Sequence, residues 1–284
     1  MALPTHASLG QRLWQWAFRV ICVLVFIFLV APIIVIIPIS VSSSSLLNYP
    51  LPGLSWQWFE VIFTPYPWML SLENSVIIAS ATTVLATILG TLAAYGLTSV
   101  EFRLKPLLMA LLLSPIMVPL VITALAAYFM FARVGLAGTF TGMILAHTVL
   151  AVPFVVITVT ATLQGFDRNM VRAAQSLGAR PLNAFFGVTL PLIMPGVISG
   201  AIFAFVTSFD EIVVALFIAS PAQFTLPRQL FSGLRDNLDP SIVAIATVLI
   251  VISIALMTVV ELLRWRSERL IPVVSTADSY GGFS

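Results

Sequence analysis

Residues 172–191 read RAAQSLGARPLNAFFGVTLP, a polar-edged connection set between long apolar runs. From Met170 the apolar side chains fall at Met170, Ala173, Ala174 and Leu177, the i, i+3, i+4, i+7 spacing of one stripe on a short helix. Arg172, Gln175 and Ser176 point off that stripe. Gly178 follows where a left-handed helix stop is expected, a conformation that glycine adopts without a Cβ penalty. Pro181 then suits the first turn of a second short helix, Leu182 to Val188, because its missing N–H would be unpaired there in any case. Leu190 and Pro191 are expected to end that helix and lead into the next apolar run. A helix, a glycine corner and a second helix exceed what a simple turn requires. The pattern fits a loop lying on a bilayer surface, or a docking element whose small alanines let a partner's groove approach closely.

The surrounding chain has 284 residues, 60% hydrophobic and 8% charged, against roughly 25% charged in a soluble domain. This is the composition of an integral membrane protein. Between residues 20 and 100 the only ionised side chains are Glu60 and Glu73, and 106–132, 134–166, 181–209 and 240–260 hold no Asp, Glu, Lys or Arg. A bilayer takes about 20 helical residues to cross. Six spans are therefore expected, at roughly 20–41, 74–98, 106–131, 138–160, 192–219 and 240–263. Arg12 and Arg19 precede the first run as in a secretory signal, but the run outlasts the roughly 7 to 15 apolar residues of a signal core and reads as a retained helix. Cys22 is the single cysteine, so no intrachain disulfide can form. A net charge of +2, spread among loops, gives no footprint for nucleic acid.

Lys and Arg concentrate in short cytoplasmic loops. Arg12, Arg19, Arg103, Lys105, Arg168, Arg172, Arg180, Arg264, Arg266 and Arg269 fall on one side of the six-span scheme, and Arg133, Arg228 and Arg235 on the other. The richer side takes both termini and the 172–191 stretch into the cytoplasm. This gives a cytoplasmic tail over 1–19, a transmembrane domain over 20–264 with the loop at about 165–191, and a cytoplasmic tail over 265–284. On the outer side, LSWQWFEVIF suits a short interfacial helix, with Trp56 and Trp58 at headgroup depth as anchors or, for Trp58, as a substrate contact. Pro115, Pro119 and Pro153 each remove a backbone donor, and the resulting kinks either relieve packing or shape a translocation path. No internal repeat of the secondary-carrier kind is apparent.

The spacing of RAA, three residues, Gly178, nine residues, Val188, one residue, Leu190 and Pro191 resembles the cytoplasmic EAA loop of ABC importer permeases, E-A-A-x3-G-x9-I-x-L-P. Arg172 stands where that family has Glu, and Val188 where it has Ile. AHTVLAVPFVVITV (146–159), SFDEIVVALFIASP (208–221) and TLPRQLFSGLRDNLDPSIVAIATVLIVIS (225–253) look like the second permease subunit of the spermidine/putrescine branch. The resemblance implies an all-α membrane fold of six helices, the type I importer permease fold, with a cytoplasmic coupling-helix loop. It assigns the coupling to Arg172, Ala173, Ala174, Leu177, Gly178, Leu190 and Pro191. It implies two ATP-binding subunits, a second homologous permease and a soluble extracytoplasmic substrate-binding protein as partners, in a bacterial cytoplasmic membrane. The cargo it suggests is a polyamine, with other amines, opines or amino-acid-like solutes as alternatives.

Phosphate cradling needs G-x4-G-K-[ST], and Lys105, the one lysine, has no glycine before it. No cofactor is expected on this chain: ATP and Mg belong to the partner subunit, which would drive the spans between inward-open and outward-open states. His6 and His147 make neither an HExxH pair nor a metal cluster. His147 reads as an interhelical hydrogen-bonding residue, a path contact or a protonation switch. Asp210 and Glu211, about 27–29 Å along the fifth span, are expensive at membrane depth and should face a bundle interior or water. Adjacent helical residues diverge by about 100°, so both cannot face one cavity equally. Either would draw an alkylammonium cargo, or pair with a base such as Arg228, Arg235 or one on the partner permease. Glu73, Asn74 and Trp58 are further path candidates, while Asp236 and Asp239 suit solvent or a docking binding protein. The competing classes are an ion-coupled secondary carrier, and a membrane enzyme or scaffold.

Overall fold

A computed structural model describes residues 9–236 and 238–270. His6, with the rest of residues 1–8, and the terminal segment 271–284 lie outside the described residues. The described chain is helical, with one isolated antiparallel bridge between Ser42 and Leu54. Its contacts form two units, one comprising the residues up to Ile62 with those from Leu238 onward, the other Phe63–Asn237.

The first unit contains α1 (Leu9–Ser40), the short α2 (Gln57–Ile62) and α12 (Pro240–Leu270). α12 packs against α1 and α2. α1 begins well before the apolar run at residue 20, and its strongly apolar face is uncovered along nearly its whole length. Asp239 starts α12 by accepting from the Ser241 N–H at 2.7 Å, a helix-capping role. The Asp236 side chain lies outside the described residues.

The second unit is built on three helices, α3 (Leu70–Ser99, entered through a π turn at Pro65–Met69), α6 (Phe140–Gln164) and α9 (Leu190–Phe209). Small residues let these helices meet. A Cβ on Gly196 would sit 2.1 Å from the Thr162 hydroxyl, and one on Gly200 2.6 Å from that of Thr158. The hydroxyls facing these glycines return hydrogen bonds to their own helix, Thr162 to the Thr158 carbonyl at 3.0 Å and Thr158 to that of Phe154 at 3.1 Å, so the seam holds no free donor of theirs. Ala86, Ala94, Ala151, Val155, Val159, Ile193 and Ala204 fill the space between. Pro153 does not interrupt α6, whereas Val118 and Pro119 do break the span before it.

That break is the first correction to the expected topology. Residues 106–131 form not one span but α4 (Lys105–Met117) and α5 (Leu120–Arg133), bent by 104°. Val118 precedes a proline and is extended (ψ 135°), the conformation that the proline ring imposes on its neighbour. The second correction concerns 192–219: α9 stops at Phe209, and α10 (Val213–Ile218) follows after a three-residue interruption. The third is at the other end of α9. The expected separate helix Leu182–Val188 does not end at Leu190 and Pro191; α8 (Pro181–Ala184) passes through a π-helical turn, Phe185–Thr189, into α9 as one apolar run, Pro181–Phe209. Among the described residues four helices are long and apolar enough to cross a membrane, five if the bent pair counts as one span, and α12 adds a shorter apolar stretch, Pro240–Ala255. Six spans are not reached by that measure.

Candidate functional site

Two regions of the second unit carry the candidate residues. The first is α7 (Asn169–Ser176) and the corner that follows it. Asp167 accepts from the Asn169 N–H at 2.9 Å and opens the helix. At the far end the Ala179 N–H donates to the Ala174 carbonyl at 3.0 Å and the Gly178 N–H to that of Gln175 at 2.9 Å. This bond pair, around Gly178 at φ +90°, is a Schellman stop. The glycine corner is therefore set as its position in the sequence predicts.

The stripe it terminates is uncovered. Leu177, the residue capping the helix, is 90% exposed and Met170 49%, while Ala173 is also exposed and Ala174 half-buried. Val171 and Ala174 turn toward the protein, and Tyr95 of α3 meets Phe185 edge-on at 4.9 Å. The Arg168 guanidinium donates to the Thr98 carbonyl at the end of α3. α7 is thus held by its back while its apolar stripe, Met170, Ala173 and Leu177, stays uncovered, and the exposed Arg172 lies off that stripe. Pro191 is exposed and Leu190 half-buried on α9, both behind the corner rather than on its front.

The second region is the interruption between α9 and α10. Glu211 is buried, and its carboxylate accepts from the N–H groups of Val213, Val214 and Ala215 at 2.9, 2.8 and 3.3 Å. It satisfies the donors that a helix start leaves unpaired, which is why α10 can begin inside the protein. His147 of α6 is fully buried; its Nδ1 shares a 2.8 Å hydrogen bond with the Ser208 hydroxyl of α9, and its Nε2 lies 3.7 Å from the Glu211 carboxylate. The interhelical role of His147 is thus present in the structure. Sequence reasoning missed Ser208.

Asp210 is the C-cap of α9. It is exposed and lines a cleft of about 760 Å³ together with Glu211, Thr207, Phe154, Leu150 and the broken corner Pro115–Leu120. Both acids thus border one cleft at the helix break, Glu211 buried and bonded to backbone N–H groups, Asp210 exposed. Neither His147 nor Glu73 lines this cleft. Glu73 is exposed on the first turn of α3. Its neighbour Asn74 is buried and donates to the carbonyls of Ala222 and Phe224, each at 3.0 Å, and the Leu226 N–H donates to Ser75 at 2.7 Å. Asn74 therefore anchors the loop between α10 and α11 (Leu226–Asp236). Arg228 donates to the Ala219 carbonyl and stacks on Phe224 at 3.6 Å, and so holds this same loop rather than either acid. In the other unit Trp58 donates to the Ser42 carbonyl at 2.8 Å, an anchoring contact. Among the described residues no group of His, Cys, Asp and Glu could hold a metal.

Comparison with known proteins extends these observations. The family described as "Binding-protein-dependent transport system inner membrane component" matches residues 86–269. The spermidine/putrescine transport system permease protein PotC of Haemophilus influenzae is 33% identical over 241 residues, 84% of this chain and 93% of that one. The putrescine transport system permease protein PotI of Escherichia coli K12 is 35% identical over 238 residues, 81% of this chain and 84% of that one. A crystal structure of a bacterial ABC transporter involved in the import of the acidic polysaccharide alginate contains a chain that superposes with a TM-score of 0.73 at 15% identity, covering 91% of this chain and 99% of that one. At that identity the last likeness shows the fold alone.

Proposed function

We infer the details of function from one premise: the chain belongs to the family of binding-protein-dependent transport system inner membrane components, and is the permease of an ABC importer. Its cargo, in our reading, is a polyamine of the spermidine/putrescine kind. The observation that carries this reading is Asp210, a carboxylate without an ion-pair partner among the described residues, at a cleft it shares with Glu211 and Thr207 and whose apolar wall includes Pro115, Ile116, Met117, Val118, Leu150 and Phe154. A carboxylate attracts an ammonium group, and the apolar wall suits a polymethylene chain. The names of the similar permeases support the same cargo.

The chain carries no phosphate-binding loop, and in this reading two separate ATP-binding subunits supply the work, using ATP and Mg that this polypeptide does not bind. They dock on α7 and the Gly178 corner. A second, homologous permease completes the pore and a soluble extracytoplasmic protein delivers the cargo. In this reading both termini face the cytoplasm, which the Lys and Arg distribution supports. The test is uptake of labelled putrescine and spermidine by the intact importer. Asp210→Asn is expected to raise the KM for uptake about tenfold, the equivalent of roughly 1.4 kcal/mol of lost attraction, with the ATP-binding subunits still bound. Unchanged uptake kinetics would remove Asp210 from the path, and an importer that takes up neither amine would remove the polyamine.

A further inference from the structure

Beside the corner lies a second, smaller cleft, of about 230 Å³, between the ends of α3 and α6 and the back of α7. Tyr95, Thr98, Ser99, Arg168 and Arg172 supply its polar lining. Its charge is one-sided. Of the nearby acids, Glu101 is paired with Lys105 at 2.7 Å, an interaction that holds the Glu101 carboxyl below its usual range. Asp167 is engaged with the Asn169 N–H. Arg168 spends one guanidinium nitrogen on the Thr98 carbonyl. Arg172 is exposed, and among the described residues no acid lies within ion-pair distance of it. Arg180, also exposed, adds a third positive charge just past the corner.

An exposed cation at the rim of a polar cleft, on a helix whose other flank leaves Leu177 and Met170 uncovered, has the form of a contact whose other half is on another molecule. We propose that Arg172, with Arg168 behind it, receives a carboxylate from the ATP-binding subunit, so that this importer's docking contact is charge-inverted relative to permeases with Glu at that position. The proposal rests on the reading of α7 as the docking element. It adds the sign of the recognising charge: the partner offers an acidic side chain to Arg172, apart from the apolar contact made by Leu177. Such a pair steers association and rejects subunits of the opposite polarity. An ATP-binding subunit suited to a Glu-bearing loop would be refused here.

The experiment uses the intact importer purified with its own ATP-binding subunit. Affinity of that subunit for the reconstituted permease is measured at about 50 mM and about 300 mM salt, since screening separates charge from packing. Arg172→Glu is expected to weaken binding about tenfold or more at low salt, the loss shrinking at high salt, with Arg172→Gln intermediate and Arg172→Lys close to the native chain. Replacing the facing acid on the ATP-binding subunit by Arg should restore binding to the Arg172→Glu permease. Native affinity of Arg172→Glu at low salt, or a loss that salt leaves unchanged, would overturn the proposal. Leu177→Asp separates the two levels of the argument. If it abolishes docking while Arg172→Glu does not, the charge contact falls and the docking element stands; if it too docks normally, the docking element falls.

Discussion

Replacing Gly178 tests the corner without disturbing anything around it. Its φ of +90° lies in the left-handed region, yet a Cβ built there would meet nothing within 4 Å. A substitution therefore adds conformational strain and no collision. For alanine the strain is about 1–2 kcal/mol, which lowers the population of the native corner roughly 5- to 30-fold relative to any relaxed alternative. Asparagine tolerates this conformation and should cost less, whereas a β-branched valine should cost more. The two bonds held by the corner, Ala179 to Ala174 and Gly178 to Gln175, are the ones that strain would break. Because Gly178 is exposed and remote from the glycine seam of α6 and α9, membrane insertion and the unfolding midpoint should stay near native. Substrate-stimulated ATP hydrolysis by the assembled importer should fall in the order Asn, Ala, Val, with uptake falling in parallel. A valine variant that couples normally would refute the role of the corner. Equal losses for all three would point to the missing glycine backbone freedom having no graded effect, and would refute the strain argument instead.

Other substitutions probe the helix break and the seam. Glu211→Ala leaves three N–H groups at the buried start of α10 without their acceptor; at about 1.5–3 kcal/mol for a hydrogen bond to a charged group, it should lower the thermal midpoint of detergent-solubilised protein by more than Glu211→Gln, which keeps an acceptor. Gly196→Ala places a methyl 2.1 Å from the Thr162 hydroxyl and should destabilise by about 1–3 kcal/mol. Gly187→Ala meets nothing within 4 Å and should be neutral or better in the same assay. Asn74→Leu removes both bonds to the carbonyls of Ala222 and Phe224, about 2 kcal/mol together; hydrogen exchange should quicken at 222–226 and not in α6.

The corner at Gly178 was legible because its determinants are local: an apolar stripe, a glycine at its end and a proline three residues on all act within one turn of their own position. Arg172 was legible as an anomaly for the same reason. The breaks were harder. At Pro119 a proline had to be told from Pro153, which α6 absorbs without interruption, and the residue type alone does not separate the two. The signal for the break at 210–212 was present, since two acids one residue ahead of VVALFI mark a helix start, but the apolar runs on both sides read more strongly as one span. Asn74 and Ser208 act through partners about 150 and 61 residues away, and no periodicity reports such pairings.

The continuity of Pro181–Phe209 has a mechanical consequence. With no loop between the glycine corner and Phe209, the 29 residues form a strut whose length, at about 1.5 Å per residue, is about 44 Å. It is interrupted by no loop, but carries a π-helical turn at Phe185–Thr189, clamped by the Tyr95–Phe185 contact, and an interior proline, Pro195. A displacement at the corner therefore reaches Asp210 without a joint to absorb it. The first break met along that line is the interruption at residues 210–212, where Asp210 sits at the larger cleft.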